Sequence, residues 1–277
     1  DGKFAAFMLN EEADKLISLK SDINALFNSP VLGYNRKDDI VYQFWANRDS
    51  HEVYYFDPKT DYAPTTAISS ISWDDPNFPN IEGFGVWAAK CNFTMGPDGK
   101  MYSRMLGGNL VRIDVENARG ENLTNGDLVG TKDGSAYGLV FDPQDENVFY
   151  FSNNDKHCIY KYDLRTKECA CWAGQEGKSG YLDGPIGQAM FNKPGQMCVD
   201  SEGNIILTDT ENHCIRKITM STGYVSTLAG KPQNSGYVNG SAEDAQFKKP
   251  LGICIDNDDV MYIGDSENRA IRRLAVE

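Results

Sequence analysis

Three histidines, His51, His157 and His213, are the first residues to read for chemistry. Three imidazoles suit a catalytic zinc, which takes three protein ligands and keeps a fourth position open. Their spacing tells against a shared ion. His157 and His213 stand 56 residues apart at one position of a repeated sequence, and His51 occupies the corresponding place further upstream. Each comes just before an apolar strand pattern. Residues equivalent by repetition are carried apart by whole strands, at about 4.7–4.9 Å per strand. Ligands of a single zinc stand within about 4 Å of one another. The expectation is three separate turn residues with no common ligand and no metal site. Nucleophilic catalysis has no signature either: the chain lacks the G-x-S-x-G elbow and any C-x-x-C pair.

A different chemistry is offered by "ISSISWDDPNFPNIEGFGVWAAK", residues 68–90. It sets Trp73 and Trp87 beside Asp74 and Asp75, with Trp45 at the end of an earlier strand pattern as a further member. Aromatic faces stack on the C–H faces of sugars, and carboxylates accept their hydroxyls. These five residues are the candidate ligand-binding set. The competing reading folds two or more of the aromatics inward as a small core. The test is whether 71–90 lies on the same face as 174–190 and 230–246, with Trp73 or Trp87 open to solvent.

The elements that must position these residues are legible through repetition. Comparing 173–216 with 229–272 at the constant offset of 56 gives 17 identities in 44 positions without a gap. Each unit holds apolar segments of four to six residues, such as "QMCVD", "NIILTD", "CIRKI" and "YVSTLA", parted by Gly, Asp and Asn. This is strand and turn patterning. About four short strands per unit at a 40 to 56-residue period is the pattern of a β-propeller blade. Weaker copies cover 137–174, 31–69 and 91–125, and the opening 18 residues match only two strands. The expected fold is all-β, a single six-bladed propeller over 1–277 whose first and last blades are incomplete. The blades run over 1–28 (partial), 29–79, 80–130, 131–173, 174–229 and 230–277.

Within the repeat, Ala189, Phe191, Ala245 and Phe247 are expected between adjacent blades. Asp183-Gly184 and Asn239-Gly240 are expected to supply a positive φ. Asp209 and Asp265 are expected to bond backbone amides of the turn between second and third strands. Tyr181 and Tyr237 read as structural.

The "D-x-x-N-H-x-I-R-K-I" run from Asp209 to Ile218 resembles the NHL repeat. So do the partial copy from Asp265 to Arg272 and the "LAG…G…DG…A-x-F-x-x-P" linker. The resemblance implies a six-bladed propeller, and a histidine before the third strand without any metal. It also implies a bacterial protein outside the cytoplasm, in the periplasm or at the outer-membrane surface, often preceded by an IPT/TIG immunoglobulin-like domain. Six-bladed lactonases, similar in fold, hold a divalent cation in the channel with Glu, Asn and Asp, so an enzyme alternative would bring a cation.

Composition narrows the partners. The formal net charge of −13 repels phosphate backbones, so nucleic acid is excluded as a partner. No apolar run approaches the roughly 18 residues of a membrane span. Seven cysteines form no compact framework; Cys158, Cys198, Cys214 and Cys254 fall in apolar strand patterns and read as small buried thiols. The function that follows is a non-catalytic scaffold, without cofactor, that binds carbohydrate or a protein partner on its inter-blade loops. The alternative is a hydrolase, lactonase or lyase at the channel mouth. The strand pattern lacks an innermost strand before residue 3 and an outermost one after 277. The chain is therefore expected to be the C-terminal part of a longer protein.

Overall fold

Short runs rich in branched and aromatic residues, broken by Asp, Asn and Gly, fold as antiparallel meanders throughout the computed structural model. It describes residues 7–9, 16–18, 31–35, 40–46, 53–60, 64–68, 72–74, 93–104, 108–124 and 137–275. Among these residues there are six sheets, four of which have four strands or more. The class is the β-propeller's. Among the described residues no helix is long and apolar enough to cross a membrane.

The chain divides into two compact units, 1–106 with 110–123, and 107–109 with 124–277. The first holds the pair Phe7–Leu9 and Leu16–Ser18, and a four-stranded sheet of Val31–Asn35, Ile40–Ala46, Val53–Phe56 and Pro64–Ile68. Its third sheet is ordered Ser72–Trp73, Arg119–Asn122, Leu110–Asp114, Met101–Arg104, Thr94–Met95.

The second unit contains the repeat. Its first sheet runs through Leu139–Phe141, Val148–Asn153, Cys158–Asp163 and Cys169–Gly174. Its second runs through Pro194–Val199, Ile205–Asp209, Cys214–Thr219 and Tyr224–Ala229, with the linker pair Gly184–Pro185 added beside Tyr224–Val225. Its third keeps three strands, Pro250–Ile255, Met261–Asp265 and Ala270–Leu274. Ile205–Asp209 is buried at all five positions. A strand covered on both faces needs a continuous apolar run, which is why "IILTD" does not alternate.

Phe191 and Ala189 lie fully buried among Val140, Tyr150 and Ile159 of one sheet and Met197, Leu207 and Val225 of the next. Phe247 and Ala245 repeat this among Ile206, Ile215, Ile253 and Ile263. These four residues pack between sheets, as the repeat implies. Hydroxyls also bridge the sheets: Thr208 Oγ1 donates to the Leu251 carbonyl and Thr210 Oγ1 to that of Pro250, each at 2.9 Å. The approach is close at Gly138, where a Cβ would stand 2.6 Å from the Met197 backbone nitrogen.

The polar residues of the repeat form one buried arrangement, made twice. Arg216 Nη1 donates to Asp209 Oδ2 at 2.7 Å, and Asn212 Nδ2 donates to the same oxygen at 2.9 Å. Arg272, Asp265 and Asn268 do the same at 2.9 and 2.8 Å. The Arg216 guanidinium lies between the rings of Tyr181 (4.8 Å) and Phe191 (5.2 Å), and that of Arg272 between Tyr237 (4.9 Å) and Phe247 (5.0 Å). One expectation needs correction here. The amides bonded by Asp209 and Asp265 are those of Asn192 and Lys248, each at 2.7 Å. They belong to the linker before the first strand, not to the Asp's own turn, because that turn closes as a 3-10 helix. Gly184 and Gly240 have φ of 151° and 155°, positive as expected.

The six described cysteines are free thiols. Cys158, Cys198 and Cys214 are buried, but Cys254 is exposed, against expectation. Cys198 is covered by the last sheet; among the described residues of this unit no further sheet covers Cys254.

Candidate functional site

The two described histidines are turn residues. His157 and His213 adopt the left-handed conformation, with φ of 56° and 59°, and His213 ends the 3-10 turn Thr210–Asn212. Each ring Nδ1 accepts a backbone N–H from the next linker, Lys193 for His157 (3.1 Å) and Lys249 for His213 (3.2 Å). A nitrogen that accepts carries no proton, so each ring is neutral when this bond is made. Partial burial and the nearby Lys193 hold the His157 pKa below its ordinary value. His51 lies outside the described residues. Among the described residues no three His, Cys, Asp or Glu side chains gather as ligands for a metal.

A charged groove forms on the third sheet of the first unit. Along Leu110–Asp114 the side chains alternate, Val111 and Ile113 buried, Arg112 and Asp114 partly open. The register sets Tyr102, Arg112 and Glu121 in one row across three strands, and Asp114 opposite Arg119. Arg112 Nε and Nη2 both donate to Glu121 Oε2, the first at 3.0 Å, and Nη1 stands 3.7 Å from Asp98 Oδ2. Tyr102 donates its hydroxyl to Asp98 Oδ2 at 2.9 Å. Lys100 Nζ is 3.6 Å from Asp114 Oδ2. Arg119 makes no ion pair among the described residues.

The chain then adds Asp74 to this row. Ser72–Trp73 runs parallel to Arg119–Gly120, and the Asp74 N–H donates to the Gly120 carbonyl at 3.0 Å. Asp74 Oδ1 accepts the Asn122 N–H at 3.1 Å and the side chain is exposed. Asp74, Lys100, Arg112, Asp114, Arg119 and Glu121 thus line a groove of about 260 Å³. Burial acts to lower the Arg112 pKa, but bonds to Tyr102 and Glu121 outweigh it and hold the guanidinium charged. Burial likewise acts to raise the Asp114 pKa; Asn117, through side chain and backbone, and Lys100 bring it below its usual range. Three carboxylates and three cations therefore face one ligand-sized space as fixed donors and acceptors.

Of the residues expected to bind ligand, Asp74 lines this groove and Trp73 lies in the strand that carries it. Trp45 lies in Ile40–Ala46, opposite Tyr54 in a different sheet. Asp75 and Trp87 lie outside the described residues, as does most of the 71–90 connection. Lys100, Arg112, Arg119 and Glu121 were not anticipated. For Arg112, Arg119 and Glu121 the signal in the sequence is the spaced charges of "VRIDVENARGEN", which also read as an ordinary solvated edge; Lys100, in the turn "PDGK", leaves none.

The sequence profile of the NHL repeat matches residues 191–218, the stretch holding Phe191, Asp209, Asn212 and Arg216. The chain is 25% identical over 271 residues to Protein SUPPRESSOR OF QUENCHING 1, chloroplastic, of Arabidopsis thaliana, covering 91% of this chain and 25% of that protein. It is 30% identical over 152 residues to NHL repeat-containing protein 2 of Gallus gallus, covering 54% of this chain and 19% of the relative. The chain thus spans a quarter or less of these relatives. Among solved structures it is similar to an auxiliary nutrient binding protein from Bacteroides thetaiotaomicron, at 21% identity and a TM-score of 0.73. That match covers 99% of this chain and 64% of the other. Virginiamycin B lyase from Staphylococcus aureus matches at 14% identity and a TM-score of 0.51, over 90% of this chain and 70% of the enzyme. At such identities the likeness is one of fold. The chain carries an NHL repeat, and its sheets are those of a β-propeller.

Proposed function

We propose that this chain is a non-catalytic binding scaffold, a six-bladed propeller of an exported bacterial protein, and that it binds carbohydrate in the Asp74 groove. The observation that carries this reading is the balance of charge in the groove. A chain of net charge −13 sets three cations against three carboxylates there. A neutral polyhydroxylated ligand can donate to Asp74, Asp114 and Glu121 and accept from Lys100, Arg112 and Arg119. A ligand of strong single charge meets repulsion and attraction alike. Trp73, next to Asp74 in the chain, is the aromatic residue proposed to stack on a sugar ring, and Trp45, Asp75 and Trp87 stay in the proposed ligand-binding set. The fold shared with an auxiliary nutrient binding protein agrees with a binding role, and an extracytoplasmic place is proposed from the resemblance to the NHL repeat alone. A protein partner is the other occupant, and a hydrolase, lactonase or lyase using a divalent cation is the second reading, favoured by the fold of virginiamycin B lyase.

The test is an array of neutral and charged glycans probed with the 277-residue chain and its Arg119→Ala variant, followed by analysis of the bound glycan for products. The expected result is retention of a neutral oligosaccharide by the wild type, reduced by the substitution, with the glycan unchanged. No retention on the array would turn the reading to a protein partner, and release of product to an enzyme.

A further inference from the structure

The second unit holds a groove of its own, of about 390 Å³, along Thr227–Gly230 and the linker that follows. Leu228 and Ala242 give it an apolar side; Tyr181, Lys231 and Glu243 give it a polar one. One ring face of Tyr181 is covered by the Arg216 guanidinium, and its hydroxyl lies 2.7 Å from Thr227 Oγ1. The direction of that bond follows from the next one. Thr227 has one hydroxyl proton, and it goes to Asp183 Oδ1 at 3.3 Å. Asp183, 2.6 Å from Arg216 Nη2, is a carboxylate and can only accept. Tyr181 therefore donates to Thr227, and its oxygen has only acceptor capacity left for a ligand. Burial pushes the Tyr181 pKa up, so the phenol keeps its proton.

The charges of the groove are equally specific. Lys231 Nζ is compensated by Asp244 Oδ1 at 3.3 Å. Glu243 is exposed and makes no ion pair among the described residues. The polar side thus presents one uncompensated carboxylate and an acceptor oxygen beside an apolar wall. In the last sheet Tyr237 covers Arg272 in the same way, beside three strands among the described residues.

We propose that this groove binds a primary ammonium group carried on a short aliphatic chain. The ammonium donates to the Glu243 carboxylate and to Tyr181 Oη, and the methylenes lie against Leu228 and Ala242. The proposal is independent of the Asp74 groove, and the net negative charge of the whole chain favours approach of such a cation.

The test is a titration of the isotopically labelled 277-residue chain with cadaverine, and in parallel with pentanediol, its neutral isostere, followed by amide chemical shifts. Cadaverine is expected to shift Gly230, Lys231 and Asn234 with a Kd on the order of 1 mM. Glu243→Gln is expected to weaken binding about tenfold at an unchanged melting temperature, since a bond to a charged group is lost. Tyr181→Phe, which keeps the ring over Arg216, is expected to weaken it about threefold. Equal shifts with pentanediol, wild-type affinity in Glu243→Gln, or shifts confined to the Asp74 groove would overturn the proposal.

Discussion

At the scale of single residues, the side chains that look most reactive serve as fasteners. His157 accepts the Lys193 N–H only when its ring is neutral. Its folded pKa lies below the ordinary 6.5. The bond's contribution is therefore fully present above that ordinary value and is lost as pH falls through the folded pKa. Asparagine tolerates the left-handed backbone and offers an oxygen that does not titrate in this range. His157→Asn is thus expected to lose less stability than wild type between about pH 7.5 and about pH 5, measured by chemical denaturation. An equal loss in both proteins would show that His157 does not titrate on unfolding. Arg216 is the second residue to test. Burial pushes the Asp209 pKa up to about 6 even with Arg216 beside it, and removal of Arg216 leaves that carboxyl fully buried with its charge partner gone, so Arg216→Ala is expected to cost about 3–5 kcal/mol. A cost near zero would mean that the carboxylate finds water.

At the scale of elements, strands of neighbouring sheets approach so closely that backbone meets backbone. Gly138→Ala places a methyl group against the Met197 nitrogen, which has no softer neighbour to displace. A loss of about 1–3 kcal/mol in equilibrium unfolding is expected, with the wild-type m-value. A neutral substitution would contradict the spacing of these two sheets. The same scale explains what could be read beforehand. Asp209, Asn212 and Arg216 fall within eight residues and recur 56 residues later as Asp265, Asn268 and Arg272. Their chemistry is local and copied, so it is visible as text. The Asp74 groove is not local. Asp74 bonds Asn122 across 48 residues, and Arg112 finds Glu121 only through strand register. Neither pairing leaves a motif, because each partner alone is an ordinary surface charge. Cys254 failed for a related reason: its strand reads like that of Cys198, but the sheet that would bury it is not given by its own sequence.

At the scale of the whole molecule, the repeat supplies sheets and the departures from it supply sites. The Asp74 groove arises where a short strand, Ser72–Trp73, is added parallel to an otherwise antiparallel sheet. The groove beside Tyr181 arises where a fourth strand and its linker stand together. The Asp74 groove lies outside the 173–272 repeat; the second groove shares Tyr181 with it but takes its uncompensated charge from Glu243, where the earlier copy has Gly187. The carbohydrate reading is tested most directly by calorimetric titration of a neutral oligosaccharide retained on the array into wild type and Arg119→Ala. The account predicts saturable binding by the wild type, little changed by added salt, and about tenfold weaker in the variant. Equal affinity in the two proteins, or wild-type binding that collapses with salt, would contradict it.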